Sequence, residues 1–79
     1  MQKLPVLSGK EVIKLLKRVG FSPTRQRGSH VILVKHDPHK GKRAVVVPDH
    51  KEVDKGTLLE IIRQAGLTRE EFLKLHERG

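Results

Sequence analysis

Two short blocks, Val19-Gly20-Phe21 and Ala65-Gly66-Leu67, do most to limit what this chain can fold into. Each closes a run of apolar residues at helical spacing: Val12, Leu15, Leu16 and Val19 before the first, Leu58, Ile61, Ile62 and Ala65 before the second. Positions i, i+3, i+4 and i+7 line one side of a helix. A glycine then takes the left-handed turn at no steric cost, and the apolar residue beyond it packs back on the last turn. Two amphipathic helices with defined C-terminal ends follow from these blocks, and Lys10, Lys14, Lys17 and Arg18 fall opposite the first apolar stripe. Ser8-Gly9-Lys10-Glu11 opens the first helix as a capping box. Thr68-Arg69-Glu70-Glu71 opens a further short helix, running to Glu77, with Phe72, Leu75 and His76 on one side.

Between the two main helices the period shortens. Thr24 to Arg27, Ser29 to His36 and Arg43 to Val47 have strand character and are close enough in sequence for an antiparallel meander. Gly28 marks a tight turn or bulge, Asp37-Pro38-His39-Lys40-Gly41-Lys42 the second connection, and Pro48 closes the third strand because it has no N–H to give a ladder. In the middle strand, alternation puts Ser29, Val31, Leu33 and Lys35 on one face and His30, Ile32, Val34 and His36 on the other. The second helix resumes its period from Thr57. The expected architecture is one α+β domain over residues 1–79, in the order α-β-β-β-α, with a three-stranded antiparallel sheet and a short extra C-terminal helix.

Seventy-nine residues allow one modest core, and with no cysteine the chain has no disulfide, thiolate metal site or cysteine nucleophile. The segment Met1 to Leu7 carries no apolar run of signal-peptide or membrane-spanning length, so a cytoplasmic protein with no membrane association is expected. Lys and Arg number 17 against 9 acidic residues, a formal charge of +8 that draws polyanions to so small a surface. Trp and Tyr are absent and the two Phe fall at helix-packing positions, which disfavours single-strand readers that stack bases on aromatic rings.

Cleavage of RNA by its own 2′-hydroxyl requires a base, an acid and positive charge on the phosphorane, and histidine serves the first two near neutral pH. Of five histidines, His30 is distinguished by its frame: it follows Gly28-Ser29 and is preceded by Arg25 and Arg27. Those backbone amides, hydroxyl and guanidiniums could cradle a phosphate, or His30 could be an ordinary strand residue beside a turn glycine. His50, in Pro48-Asp49-His50, is the second candidate, at a loop that leads into a helix. Lys51 and Lys55 flank the start of that helix, either holding an anion at its free amides or forming a solvated basic face. His36-Asp37-Pro38-His39 offers two nitrogens and one carboxylate without a third firm ligand, so no metal or other cofactor is expected. Asp37, Asp49, Glu52 and Asp54 stand among lysines as solvated loop carboxylates, unsuited to a two-metal nuclease. Ser29 and His30, adjacent on a strand, point to opposite faces and do not form a nucleophile pair.

Taken in order, Ser8-Gly9-Lys10-Glu11-Val12-Ile13, Gly20-Phe21, Arg25-Gln26-Arg27-Gly28-Ser29-His30, Val45-Val46-Val47-Pro48-Asp49-His50 and Gly56-Thr57-Leu58 resemble the HicA family of bacterial and archaeal toxins. The resemblance implies a double-stranded-RNA-binding-domain-like fold and translation-independent mRNA cleavage. It also implies a HicB-like antitoxin that covers the active site. The family's essential histidine falls on His30, framed by Gly28 and Ser29, and the free toxin is expected to be a monomer. Arg25, Arg27, Gly28, Ser29, Lys51 and Lys55 are the expected RNA-binding residues. A non-catalytic double-stranded-RNA-binding module of the same architecture is the alternative. The extra helix receives no role from the resemblance.

Overall fold

A computed structural model describes residues 3–78, and so leaves Met1, Gln2 and Gly79 of the expected domain outside the described residues. The elements run α1 (Gly9–Arg18), β1 (Ser22–Arg27), β2 (His30–Asp37), β3 (Gly41–Pro48), α2 (Lys55–Gln64) and α3 (Arg69–Glu77). The sheet is antiparallel throughout in the order β1-β2-β3. This is the expected α-β-β-β-α order with a third helix added.

Both helix stops take the form their sequences require. Phe21 N–H donates to the Leu16 carbonyl and Gly20 N–H to that of Lys17, at 3.1 and 3.2 Å. Leu67 and Gly66 repeat the pattern onto Ile62 and Arg63. Gly20 has φ +100° and Gly66 +74°, the left-handed conformation of such a cap. A cation lies against each stop. The Lys35 stem runs over Gly20 with its ammonium 5.9 Å from the centre of the Phe21 ring, and Arg43 donates to the Gln64 carbonyl at 3.2 Å. Lys35 and Arg43 are cross-strand partners, a like-charged pair that the two negative helix ends offset.

The core face of the sheet is fixed by alternation. Val31 pairs with Val47 and Leu33 with Val45, and all four are buried against Val12, Leu15 and Leu16 of α1 and Leu58, Ile61 and Ile62 of α2. His30, Ile32, Val34 and His36 take the opposite face, as the period predicts. Among the described residues no helix is long and apolar enough to cross a membrane.

Several boundaries differ from expectation. β1 begins at Ser22 and absorbs Pro23, because an edge strand can leave one side of its ladder empty. A register shift between Pro23 and Arg25 places Thr24 in a bulge, where its hydroxyl donates to the Ile32 carbonyl at 3.1 Å. Ser29 belongs to the turn, and β2 and β3 extend to Asp37 and from Gly41, shortening the second connection to Pro38-His39-Lys40. α2 starts at Lys55, since Asp54 caps it by accepting from Thr57 N–H at 2.8 Å. On α3 the buried pair is Phe72 and Leu73, while His76 is exposed.

Four carboxylates predicted or placed near turns act as backbone acceptors. Backbone N–H donors come first among the causes that hold them below the usual carboxylate range: Ser8 for Glu11, His39 for Asp37, Thr57 for Asp54 and Thr68 for Glu71. Asp37 and Asp54 thus act as structural caps while still lying at the surface. A carboxylate depressed in the folded state stabilises it above the unfolded value and loses that contribution as pH falls. Thermal midpoints should accordingly drop as the solution is acidified below about pH 4.5. D54N, which keeps a capping oxygen but cannot titrate, should show a shallower acid limb. An identical limb in D54N would exclude Asp54 from this dependence.

Candidate RNA-cleaving site

The rim where β1 turns into β2 and β3 ends is built mainly by backbone. Gly28 and Ser29 form a two-residue hairpin turn between register partners Arg27 and His30. Gly28 has φ +58° and, among the described residues, no non-glycine residue has positive φ, which is the sign pattern of a type II′ turn, the type that matches strand twist. Nothing lies within 4 Å of where a Gly28 Cβ would project, so backbone conformation alone calls for glycine there. The Gln26 side-chain amide donates to the Gly28 carbonyl at 3.0 Å and firms the turn.

His30 is the first residue of β2, exposed, and paired with Arg27 on one side and Pro48 on the other. Directly opposed residues share a face, so Arg27, and Arg25 opposite Ile32, lie on the His30 side of the sheet. Pro48 has no N–H, and the next donor, Asp49 N–H, goes to the Ser29 carbonyl at 2.6 Å. The His50 carbonyl in turn accepts from Gly9 N–H at 2.9 Å, and Val53 N–H donates to the Leu7 carbonyl at 2.8 Å. The loop from Asp49 to Val53 is thus laced to the hairpin on one side and to the start of α1 on the other.

Gly9 permits this lacing, and the sequence pattern did not single it out. A Cβ there would stand 2.1 Å from the Pro48 carbonyl oxygen, far inside contact distance, so only glycine lets α1 approach the end of β3 this closely. The available signal was a glycine inside the first helical turn, where alanine is a better helix former. Lys51 lies in the laced loop and Lys55 at the first position of α2, both exposed. Arg25 and Arg27 therefore flank His30 along the sheet, while the two lysines lie on the separate loop and helix that follow His50.

The remaining histidines are elsewhere. His36 lies near the far end of β2 and His39 in the β2–β3 turn, about 20 Å from His30 at strand rise. The Asp37 carboxylate between them is taken up by the N–H groups of His39 and Lys40, at 2.8 and 3.0 Å. Among the described residues, no three His, Asp or Glu side chains come together as a metal-binding group. Phe21 and Phe72 are fully buried, and with Trp and Tyr absent no Phe, Trp or Tyr ring is exposed for a base to stack on.

The rim can present cations and an exposed imidazole to a phosphodiester backbone. A family model described as the HicA toxin of bacterial toxin-antitoxin matches residues 9–67, from the first residue of α1 through the second helix stop. No curated protein matches the chain.

Proposed function

The chain belongs to the HicA toxin family, and from that premise we propose that it is an endoribonuclease that cuts mRNA without a metal, using His30 as general acid or base. The observation that carries this reading is the placement of His30 at an exposed hairpin end, on the same sheet face as Arg25 and Arg27. An imidazole can move the proton of a 2′-hydroxyl or of the leaving 5′-oxygen, and guanidiniums can stabilise the charge that builds on the phosphorane. Gly28 and Ser29 frame the ring, and Lys51 and Lys55 hold flanking phosphates. Family membership implies an antitoxin partner; a HicB-like protein fits that role by covering His30. The free toxin acts in the cytoplasm as a monomer, because a surface charge of +8 opposes contact between copies.

The test is incubation of purified protein with mRNA in EDTA, followed by analysis of the product ends. Cleavage leaving 2′,3′-cyclic phosphate or 3′-phosphate ends, with DNA intact, is expected. Ends bearing 3′-hydroxyl would show a water nucleophile and overturn the 2′-hydroxyl chemistry. Duplex RNA bound tightly and salt-sensitively but never cut would make the protein a binding module instead. Addition of a HicB-like antitoxin that binds the protein should stop cleavage; undiminished activity in that complex would refute occlusion.

A further inference from the structure

Proton transfer to one oxygen and from another calls for two groups, and the rim around His30 holds a second histidine. We infer that His50 is the general acid that protonates the leaving 5′-oxygen while His30 acts as the base; this rests on the ribonuclease reading above. His30 pairs with Pro48, and the two residues from Pro48 to His50 span at most about 7 Å, so both exposed imidazoles hang from neighbouring backbone. Their spacing is not left to a floppy loop. Asp49 N–H is tied to Ser29 and the His50 carbonyl to Gly9, and the missing Gly9 Cβ makes that second tie possible.

The two rings stand in surroundings of opposite sign. His30 has Arg27 as its register partner, and a guanidinium beside the base can also stabilise the charge that builds on the phosphorane. Beside His50 stands Asp54, whose carboxyl is held below the usual range chiefly by the Thr57 N–H and hydroxyl, with His50 itself a smaller cause. Asp54 thus remains a carboxylate at neutral pH. Negative charge therefore stands near the ring assigned as acid, and positive charge beside the ring assigned as base. The other histidines do not fit: His36 and His39 are at the far end of the sheet, and His76 on α3 lines a groove along α1 with Lys14 and Arg18.

The step balances within the RNA and the two rings. His30 takes the 2′-hydroxyl proton, the 2′-oxygen bonds to phosphorus, and the P–O5′ bond breaks with its electron pair passing to O5′. His50 gives its proton to that oxygen. The products are a 2′,3′-cyclic phosphate and a 5′-hydroxyl, and one proton has moved from His50 to product while His30 has gained one.

The test is an oligoribonucleotide spanning a linkage the protein cuts in mRNA, made once with the natural 5′-oxygen and once with sulfur in its place. A thiolate leaves without needing a proton. H50A should slow the oxygen substrate about 10²- to 10⁴-fold and the sulfur substrate less than about 10-fold, whereas H30A should slow both. H50Q should behave as H50A, and an unchanged melting curve in either variant separates chemistry from folding. If H50A slows both substrates alike, or neither, while H30A remains inactive, His50 is not the acid and the inference is overturned. If H30A cuts as fast as the parent, it is the ribonuclease assignment of His30 that fails, a distinguishable result.

Discussion

Replacing His30 by alanine should lower the rate of RNA cleavage by about 10²- to 10⁴-fold, the usual contribution of a positioned acid or base. The same change should leave the thermal midpoint nearly unmoved. His30 is exposed, begins its strand and packs in no core, and substitutions at such surface positions cost within about 0.5 kcal/mol. Its strand pairing is made by backbone, which alanine preserves. The measurement is cleavage of one mRNA by both proteins at equal concentration, beside their melting curves. Equal rates would remove His30 from the chemistry. A midpoint lowered by many degrees would make it a structural residue. H30A should also keep its affinity for RNA, since Arg25, Arg27, Lys51 and Lys55 are untouched, and a matching loss of binding would recast His30 as a phosphate contact.

The parts of this molecule that were legible in the sequence are those governed by local rules. Gly20 and Gly66 specified two helix ends because their conformation is closed to other residues, and the Ser8 and Thr68 capping boxes formed as written. The faces of β2 followed from a period of two. The parts that were not legible depend on where distant segments meet. Thr24 in a bulge, Gly9 against Pro48 and Asp49 bonded to Ser29 each need the register of a partner strand or the approach of a helix, which no local pattern encodes. On α3 the sequence favoured His76 over Leu73, since i+3 and i+4 spacing from Phe72 is satisfied by both Leu75 and His76. The buried side of a short helix is set by its tertiary contacts, and here Phe72 enters the core, Leu75 packs part-buried against it, and Leu73 is buried outside that cluster while His76 stays exposed. For the candidate site, the Gly28-Ser29 frame and the family resemblance pointed to His30 and the Pro48-Asp49-His50 loop to His50, whereas the lacing of the Asp49–Val53 loop to hairpin and helix could not be read locally.

The same contact makes α3 part of the fold, although it lies beyond the residues matched by the family, and F72A should show it. Phe72 has no exposed surface and belongs to the continuous core with Phe21, Leu16, Leu33 and Ile61. Phe→Ala at a buried site costs about 3–5 kcal/mol, from lost transfer energy and from the cavity that remains. At about 0.05–0.15 kcal/mol per residue, a chain of this length is stable by only about 4–12 kcal/mol. F72A should therefore lose from a quarter of its stability to all of it, lowering the midpoint by well over 10 °C for a domain this small. An appendage that merely rested on the surface would cost less than about 1 kcal/mol when so trimmed, and a shift of only a few degrees would reduce α3 to that status. Activity sharpens the distinction. The ties that hold His30 and His50 run through Ser29, Asp49 and Gly9 rather than through α3. At a temperature where F72A is still folded, its cleavage rate per folded molecule should equal that of the parent, so that α3 secures the scaffold and leaves the chemistry to the opposite ends of the strands.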